Sequence, residues 1–306
     1  MRIVRWILVT LLGLAVALTL ASVIYNAATA DASVPVADLW HGKTVDGTAY
    51  RQWGSSGTPI VLIGGFLEPS FVWEKVAPLL AKSHRVYALD LDGFGYTKRR
   101  GPWTLAHWGD QVQEFCRSLG LAKPIVVGHS LGAAVAAELA RRGLASKIVL
   151  VDGDALRGGG APRWVTTALV NSPFFTTVYR FLLRSPWAVT RLLANAYGPH
   201  HPPITRAEIR RWTDPFRAKN ARRAIEGMAK NGIAGLTRAD LRRLHVPALV
   251  VWGANDNVDP VGSGRQSARD LRAPFVLVPG AGHLSPLESA GAVAAAIATP
   301  RSGVRP

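Results

Sequence analysis

The 306-residue sequence holds a single cysteine, Cys116. That scarcity excludes an internal disulfide framework and any zinc site built on thiolates. Within the helical stretch WGDQVQEFCRSLG the lone thiol reads as a buried packing residue. Acidic side chains are also few, 20 Asp and Glu against 36 Lys and Arg, for a formal net charge of +16. Charged residues make up only 18% of the chain and hydrophobic ones 48%, which excludes a disordered chain and allows a large buried core. No internal repeat is present, and no group of His, Asp and Glu has metal-ligand spacing, so neither a metal nor a cofactor is expected.

The surplus of positive charge is concentrated in one region. Between Asp154 and His245 stand sixteen Lys or Arg and five Asp or Glu, so +11 of the +16 lies there. The stretch ITRAEIRRWTDPFRAKNARRAIEGMAK alone carries Arg206, Arg210, Arg211, Arg217, Lys219, Arg222 and Arg223. A basic face of this kind suits anionic lipid headgroups or an acidic substrate better than nucleic acid if the chain is held at a membrane. A merely solvated face is the alternative.

Residues 1–30 give a reason to expect such a membrane. Trp6 to Tyr25, WILVTLLGLAVALTLASVIY, runs 20 residues without a charge, behind Arg2 and Arg5. A helix of that length crosses a bilayer. Ala28-Thr29-Ala30 also fits a signal-peptidase site, so the segment is a retained anchor or a removable signal peptide. Its length favours the anchor. Arginines before it and Asp31 and Asp38 after it predict a cytoplasmic N-terminus, with the rest of the chain extracytoplasmic, or secreted if the leader is cut.

Beyond the leader, apolar runs flank Asp46-Gly47, a hairpin signal. Buried-type strands follow at 58–66, 85–91, 123–128 and 147–153, with helical patterns at 73–82, 105–119 and 131–142 between them. Such alternation predicts an α/β fold with a mostly parallel sheet covered by helices on both faces. Residues 154–245 are helical in pattern, and strands resume at 248–252 and 275–278. The expected organisation is therefore a core of 35–153 and 246–298, a helical cap inserted over 154–245, and a loose tail at 299–306.

The stretch IVVGHSLGAA, residues 125–134, contains Gly128-His129-Ser130-Leu131-Gly132, a G-x-S-x-G pattern between a β-branched apolar run and an Ala/Leu-rich helix. Strand, tight turn and helix form a nucleophile elbow, with the serine hydroxyl aimed outward and glycines where backbones crowd. A serine needs a base. His283, in VPGAGHLSPLES after the last strand, lies where the α/β-hydrolase superfamily, which these motifs resemble, carries its base; His41, His84, His107, His200, His201 and His245 read as surface or packing residues, and His129 is the variable residue of the elbow, pointing away from the line of attack. The same resemblance implies that the acid orienting the base is Asp256 or Asp259, in VVWGANDNVDPV, with Asp152 and Asp154, at a place where some relatives carry it, as fallbacks.

The order of these elements and motifs resembles the α/β-hydrolase superfamily over residues 35–298, most weakly in the cap. The resemblance implies a catalytic triad of Ser130, Asp256 and His283, with Gly253-Ala254-Asn255-Asp256 standing at the family's G-x-x-D. It also implies an oxyanion hole made by the backbone N–H groups of Leu131 and Phe66, because Gly64-Gly65-Phe66 through Trp73 is similar to the family's H-G-x7-W. Here Gly64 stands where the family has a histidine that braces the loop. DLDGFGYT, residues 90–97, is similar to a family turn and gives Asp90 and Asp92 structural roles. IGGF lacks a following G-K-[ST], which disfavours a phosphate loop.

The expected activity is hydrolysis of a small-molecule or lipid carboxylic ester through an acyl-enzyme. Acyl transfer, carbon–carbon bond hydrolysis and haloperoxidase-like chemistry use the same triad and stay open. A non-catalytic lipid- or partner-binding relative is a further alternative. Trp164, Phe174, Phe175, Tyr179, Phe181 and Trp187 are candidates to line an apolar acyl site or to pack the cap.

Overall fold

The computed structural model describes residues 2–29, 34–158, 162–232 and 235–299. The expected tail beyond Thr299 lies outside these, as do Ala30 of the expected cleavage site and Asp31.

Eight strands form one sheet in the order β1-β2-β4-β3-β5-β6-β7-β8. They are β1 (Lys43–Val45), β2 (Thr48–Trp53), β3 (Pro59–Ile63), β4 (Arg85–Leu89), β5 (Ile125–His129), β6 (Lys147–Val151), β7 (Ala248–Gly253) and β8 (Phe275–Val278). The first two pair antiparallel across Asp46-Gly47, both with positive φ, as the Asp-Gly signal requires. β2 runs antiparallel to β4, and the remaining neighbours are parallel.

Continuous apolar runs make strands that bury both faces. In β3, Val61 and Ile63 join one core with Val126, Phe115 and Trp252, while Ile60 and Leu62 join another with Val127, Val149 and Trp73. Before β6 stand α1 (Arg2–Ala28), of which only Ser22 is buried, α2 (Val36–Leu39), and α3 (Ala77–Leu80), α4 (Leu105–Ser118) and α5 (Leu131–Arg141), whose side chains join these cores. Between β6 and β7 lie α6 (Arg163–Asn171), α7 (Pro173–Arg184), α8 (Pro186–Ala196), α9 (Arg206–Thr213), α10 (Ala221–Asn231) and α11 (Arg238–Arg242), the inserted cap. α12 (Val261–Leu271), α13 (Ser285–Glu288) and α14 (Ala290–Ala298) complete the chain.

The helix expected over 73–82 is broken instead into a 3-10 turn, Ser70–Trp73, and the four-residue α3. Pro78 explains the break, since proline without an N–H is tolerated only in a helix's first turn. The two ends of the segment between β6 and β7 are tied by Leu236 N–H donating to Ala155 O and Arg157 N–H donating to Leu236 O, both 2.9 Å.

Candidate active site

β5 delivers Ser130 to the point where α5 begins, and the serine sits at φ 49°, ψ −120°, a strained conformation for a residue with a Cβ. The flanking glycines make that turn sterically feasible. A Cβ on Gly128 would stand 2.0 Å from Gly132 O, and one on Gly132 would stand 2.5 Å from Ile63 O. Ser130 N–H donates to Val151 O at 2.9 Å, tying the elbow to the next strand.

His283 lies on the loop after β8, where its N–H donates to Ala196 O at the end of α8 at 2.7 Å. Its Nδ1 is 2.9 Å from Asp256 Oδ2, and the Asp256 side chain is fully buried. The other oxygen of that carboxylate accepts from the N–H groups of Val258 and Asp259 at 2.8 and 2.9 Å. An acceptor on Nδ1 fixes the tautomer with a proton there and leaves Nε2 as the basic nitrogen.

The rival carboxylates are engaged elsewhere. Asp259 lines the cavity described below, with burial pushing its carboxyl above the ordinary range. Asp154 accepts from Leu156 N–H at 2.9 Å. Asp152, fully buried, accepts from Gly253 N–H at 2.7 Å and from Ser285 Oγ at 2.5 Å. Among the described residues no hydrogen bond joins Ser130 Oγ to His283; the two loops are joined through His129.

That residue, expected to point away from the line of attack, is the centre of a buried ionic network. His129 Nδ1 is 2.7 Å from Glu68 Oε2, and its Nε2 is 2.6 Å from His283 O and 3.6 Å from Asp152 Oδ2. Both ring nitrogens therefore face acceptors, which only the imidazolium satisfies. Burial pulls the imidazole down, but the Glu68 charge, the Asp152 hydrogen bond and the Glu68 hydrogen bond overcome it and hold the ring well above its ordinary value. In Glu68 burial acts upward, and the His129 charge and hydrogen bond leave the carboxyl below its ordinary value. Trp73 closes the network edge-on, its ring centroid 6.3 Å from that of His129.

Glu68 also accounts for Gly64. The same Oε2 accepts from Gly65 N–H at 2.5 Å, and a Cβ on Gly64 would stand 3.1 Å from Glu68 O and 3.2 Å from its Cβ. A carboxylate four residues downstream thus occupies the space beside position 64 and braces the loop. Sequence reasoning missed Glu68, Asp152 in this role, and Ser285; the departure at Gly64 was the signal that could have found the first.

The N–H groups of Phe66 and Leu131 make no hydrogen bond among the described residues, so both remain available as donors. Beside them opens a cavity of about 820 Å³ lined by Phe66, Ser130, Leu131, Leu156, Ile225 and Met228, among others. None of the six cap aromatics proposed from the sequence lines it; Trp164, Phe174, Phe181 and Trp187 are exposed instead. The turn at Asp90 and Asp92 is structural as expected: Asp90 accepts from Ser70 and Tyr96 N–H, and Asp92 from Trp103 Nε1 and His107. Among the described residues no group of three or more His, Cys, Asp and Glu is placed to hold a metal ion.

The sequence matches the model of the alpha/beta hydrolase family over residues 60–296. The chain belongs to this family. It is 26% identical over 253 residues to the hydrolase YugF of Bacillus subtilis, spanning 80% of this chain and 91% of that one. It is 28% identical over 257 residues to a non-heme haloperoxidase of Rhodococcus erythropolis, spanning 78% and 90%. Its fold is similar to that of an esterase from Thermogutta terrifontis (TM-score 0.67, 24% identity, 82% and 91% covered) and to a bacterial membrane phospholipase A (TM-score 0.68, 22% identity, 99% and 100% covered).

Proposed function

We propose that the chain is a serine hydrolase of carboxylic esters with an apolar acyl group, acting at the outer side of a membrane in which α1 is retained. The observation that carries this reading is Ser130, strained on its elbow at the wall of a largely apolar cavity, beside two unengaged N–H donors. Ser130 Oγ attacks the ester carbonyl carbon and its proton passes to Nε2 of His283, while Asp256 stabilises the resulting imidazolium. The oxyanion is held by the N–H groups of Phe66 and Leu131. Collapse expels the alcohol, which takes the proton from His283 and leaves an acyl-enzyme; water repeats the sequence and releases the acid.

The cavity supports a bulky acyl chain, because Leu156, Ile225 and Met228 offer no charge to a substrate. Neighbours described as an esterase and as a membrane phospholipase A support an ester or lipid substrate. Retention of α1 is supported by its 27-residue length and by its contacts with the cap: Ser22 with Thr177, and Asn26 Nδ2 donating to Pro173 O at 2.9 Å.

A fluorophosphonate probe tests the reading. Wild type should label and turn over p-nitrophenyl esters, and Ser130→Ala should do neither. Correctly folded wild type that resists the probe would favour a non-catalytic relative instead.

A further inference from the structure

Helix α7 carries exposed apolar residues of the cap and two of its arginines to the end of α1. Ser22, almost fully buried, packs against Thr177 of α7, and Arg180 and Arg184 donate to the carbonyls of Asn26 and Thr29. Cations thereby cap the C-terminal carbonyls of α1. Ser22 stands three residues inside the end of the apolar run at Tyr25, about 4.5 Å of helix rise. α7 therefore lies at the depth where α1 leaves the hydrocarbon.

On that helix Phe174, Val178 and Phe181, spaced i, i+4, i+7, are 40%, 55% and 50% exposed. Trp164 on α6 and Trp187 on α8 are 76% and 74% exposed. An amphipathic helix at a membrane interface buries its apolar face about 5–10 Å into the headgroup and acyl boundary. Beside it a cavity of about 240 Å³ is lined by Arg180, Arg184, Arg217, Arg222 and Arg223 and by no carboxylate. Asp214 and Glu226, outside the lining, pair with Arg217 and Arg222. Guanidinium groups bind phosphate oxygens through paired N–H donors.

We infer that α7 lies at the membrane interface with Phe174, Val178 and Phe181 entering the bilayer while the adjoining arginine cavity holds the phosphate of an anionic phospholipid. This rests on the reading of α1 as a retained anchor, and it gives the cap a lipid-binding role separate from catalysis. The occupant is a lipid headgroup: Arg180 and Arg184 line the cavity and also bind the end of α1, and every charged residue of the lining is an arginine.

The test uses the full chain with Ser130→Ala and Cys116→Ser, so that esterase activity has no part in the readout. A single cysteine is placed at Val178 or at Leu12 and labelled with an environment-sensitive fluorophore, and the chain is reconstituted in phosphatidylcholine vesicles with or without phosphatidylglycerol. Quenching by spin-labelled lipid, and protection from aqueous iodide, is expected at both positions. Phosphatidylglycerol should increase it several-fold at 178, since each guanidinium near an anionic surface contributes about a fivefold preference. Arg217→Gln/Arg222→Gln/Arg223→Gln should remove that increase while the thermal transition of the chain is kept.

Lipid quenching at Leu12 with iodide access at Val178 overturns the inference and leaves the anchor in place. Iodide access at both positions overturns the anchor reading and this inference with it. If inorganic phosphate reproduces the effect of phosphatidylglycerol, or if the arginine variant keeps it, the headgroup assignment falls.

Discussion

Glu68 and His129 form a buried ion pair, Oε2 to Nδ1 at 2.7 Å, that clasps the loop after β3 to the residue preceding Ser130. Through Nε2 the same ring holds the carbonyl of His283, so three loops from three parts of the chain meet on one imidazolium. Removing one partner of such a pair strands the other's charge in the core, at a cost of about 3–5 kcal/mol. Glu68→Gln should therefore lower the urea midpoint strongly. Its kcat should also fall while KM changes less, because Gly65 N–H loses its charged acceptor and Phe66 is carried on the same loop. The fall should stay below the roughly 10²–10³-fold cost of deleting an oxyanion donor outright. Unchanged kcat in a folded variant would show that the clasp has no bearing on chemistry.

The pair gives stability a definite pH dependence. Folding raises the pKa of His129, so its contribution is complete below its unfolded value of about 6.5 and is lost as pH rises through the folded value. Folding lowers that of Glu68, so its contribution is complete above about 4.3 and is lost as pH falls through the folded value. The two are complete together between roughly pH 4.5 and 6.5. Above that window the folded state retains a proton the unfolded state has released, and stability should decline by about 1.4 kcal/mol per pH unit from this group. Urea unfolding from pH 6 to 9 measures the slope, and His129→Asn should flatten it. An equal slope in both proteins would mean that His129 is neutral when folded.

Much of this was legible in the sequence, for identifiable reasons. β3 reads PIVLI because both its faces are buried, and Asp46-Gly47 declares its hairpin by backbone requirement alone. The elbow was legible because its glycines are forced by backbone contacts near 2 Å. Asp256 could be separated from Asp259 only through the resemblance, as a local pattern does not say which carboxylate reaches a histidine 27 residues on. The clasp was harder to read for a similar reason: Glu68 and His129 are 61 residues apart, and only the glycine at position 64 hinted that another side chain braces the loop. The cap aromatics stayed open between lining an acyl site and packing because hydrophobicity does not distinguish a side chain facing an acyl cavity from one facing outward.

Asp256 makes three hydrogen bonds, to His283 Nδ1 and to two backbone N–H groups. Asp256→Asn keeps the shape and presents an amide where Nδ1–H needs an acceptor, which favours the wrong tautomer. A fall of about 10⁴ in kcat with an unchanged thermal transition is expected. Asp259→Asn should cost less than tenfold, since Asp259 is not bonded to His283. A reversal of the two effects, measured with p-nitrophenyl butyrate, would move the acid to Asp259.

Chain-length selectivity should be set by Met228, which is buried on α10 and lines the cavity beside Ser130. Replacing it with tryptophan fills space that a long acyl chain would occupy and leaves the elbow, Phe66 and Leu131 unaltered. With p-nitrophenyl esters from acetate to palmitate, kcat/KM of Met228→Trp should be close to wild type for acetate. It should fall about 10–200-fold for the long chains, the range expected when a methylene or two loses its place in an apolar pocket. An equal loss across the series would indicate a disturbed fold. No loss at any length would mean that the acyl group leaves Ser130 in another direction, away from α10 and toward the side of Phe66.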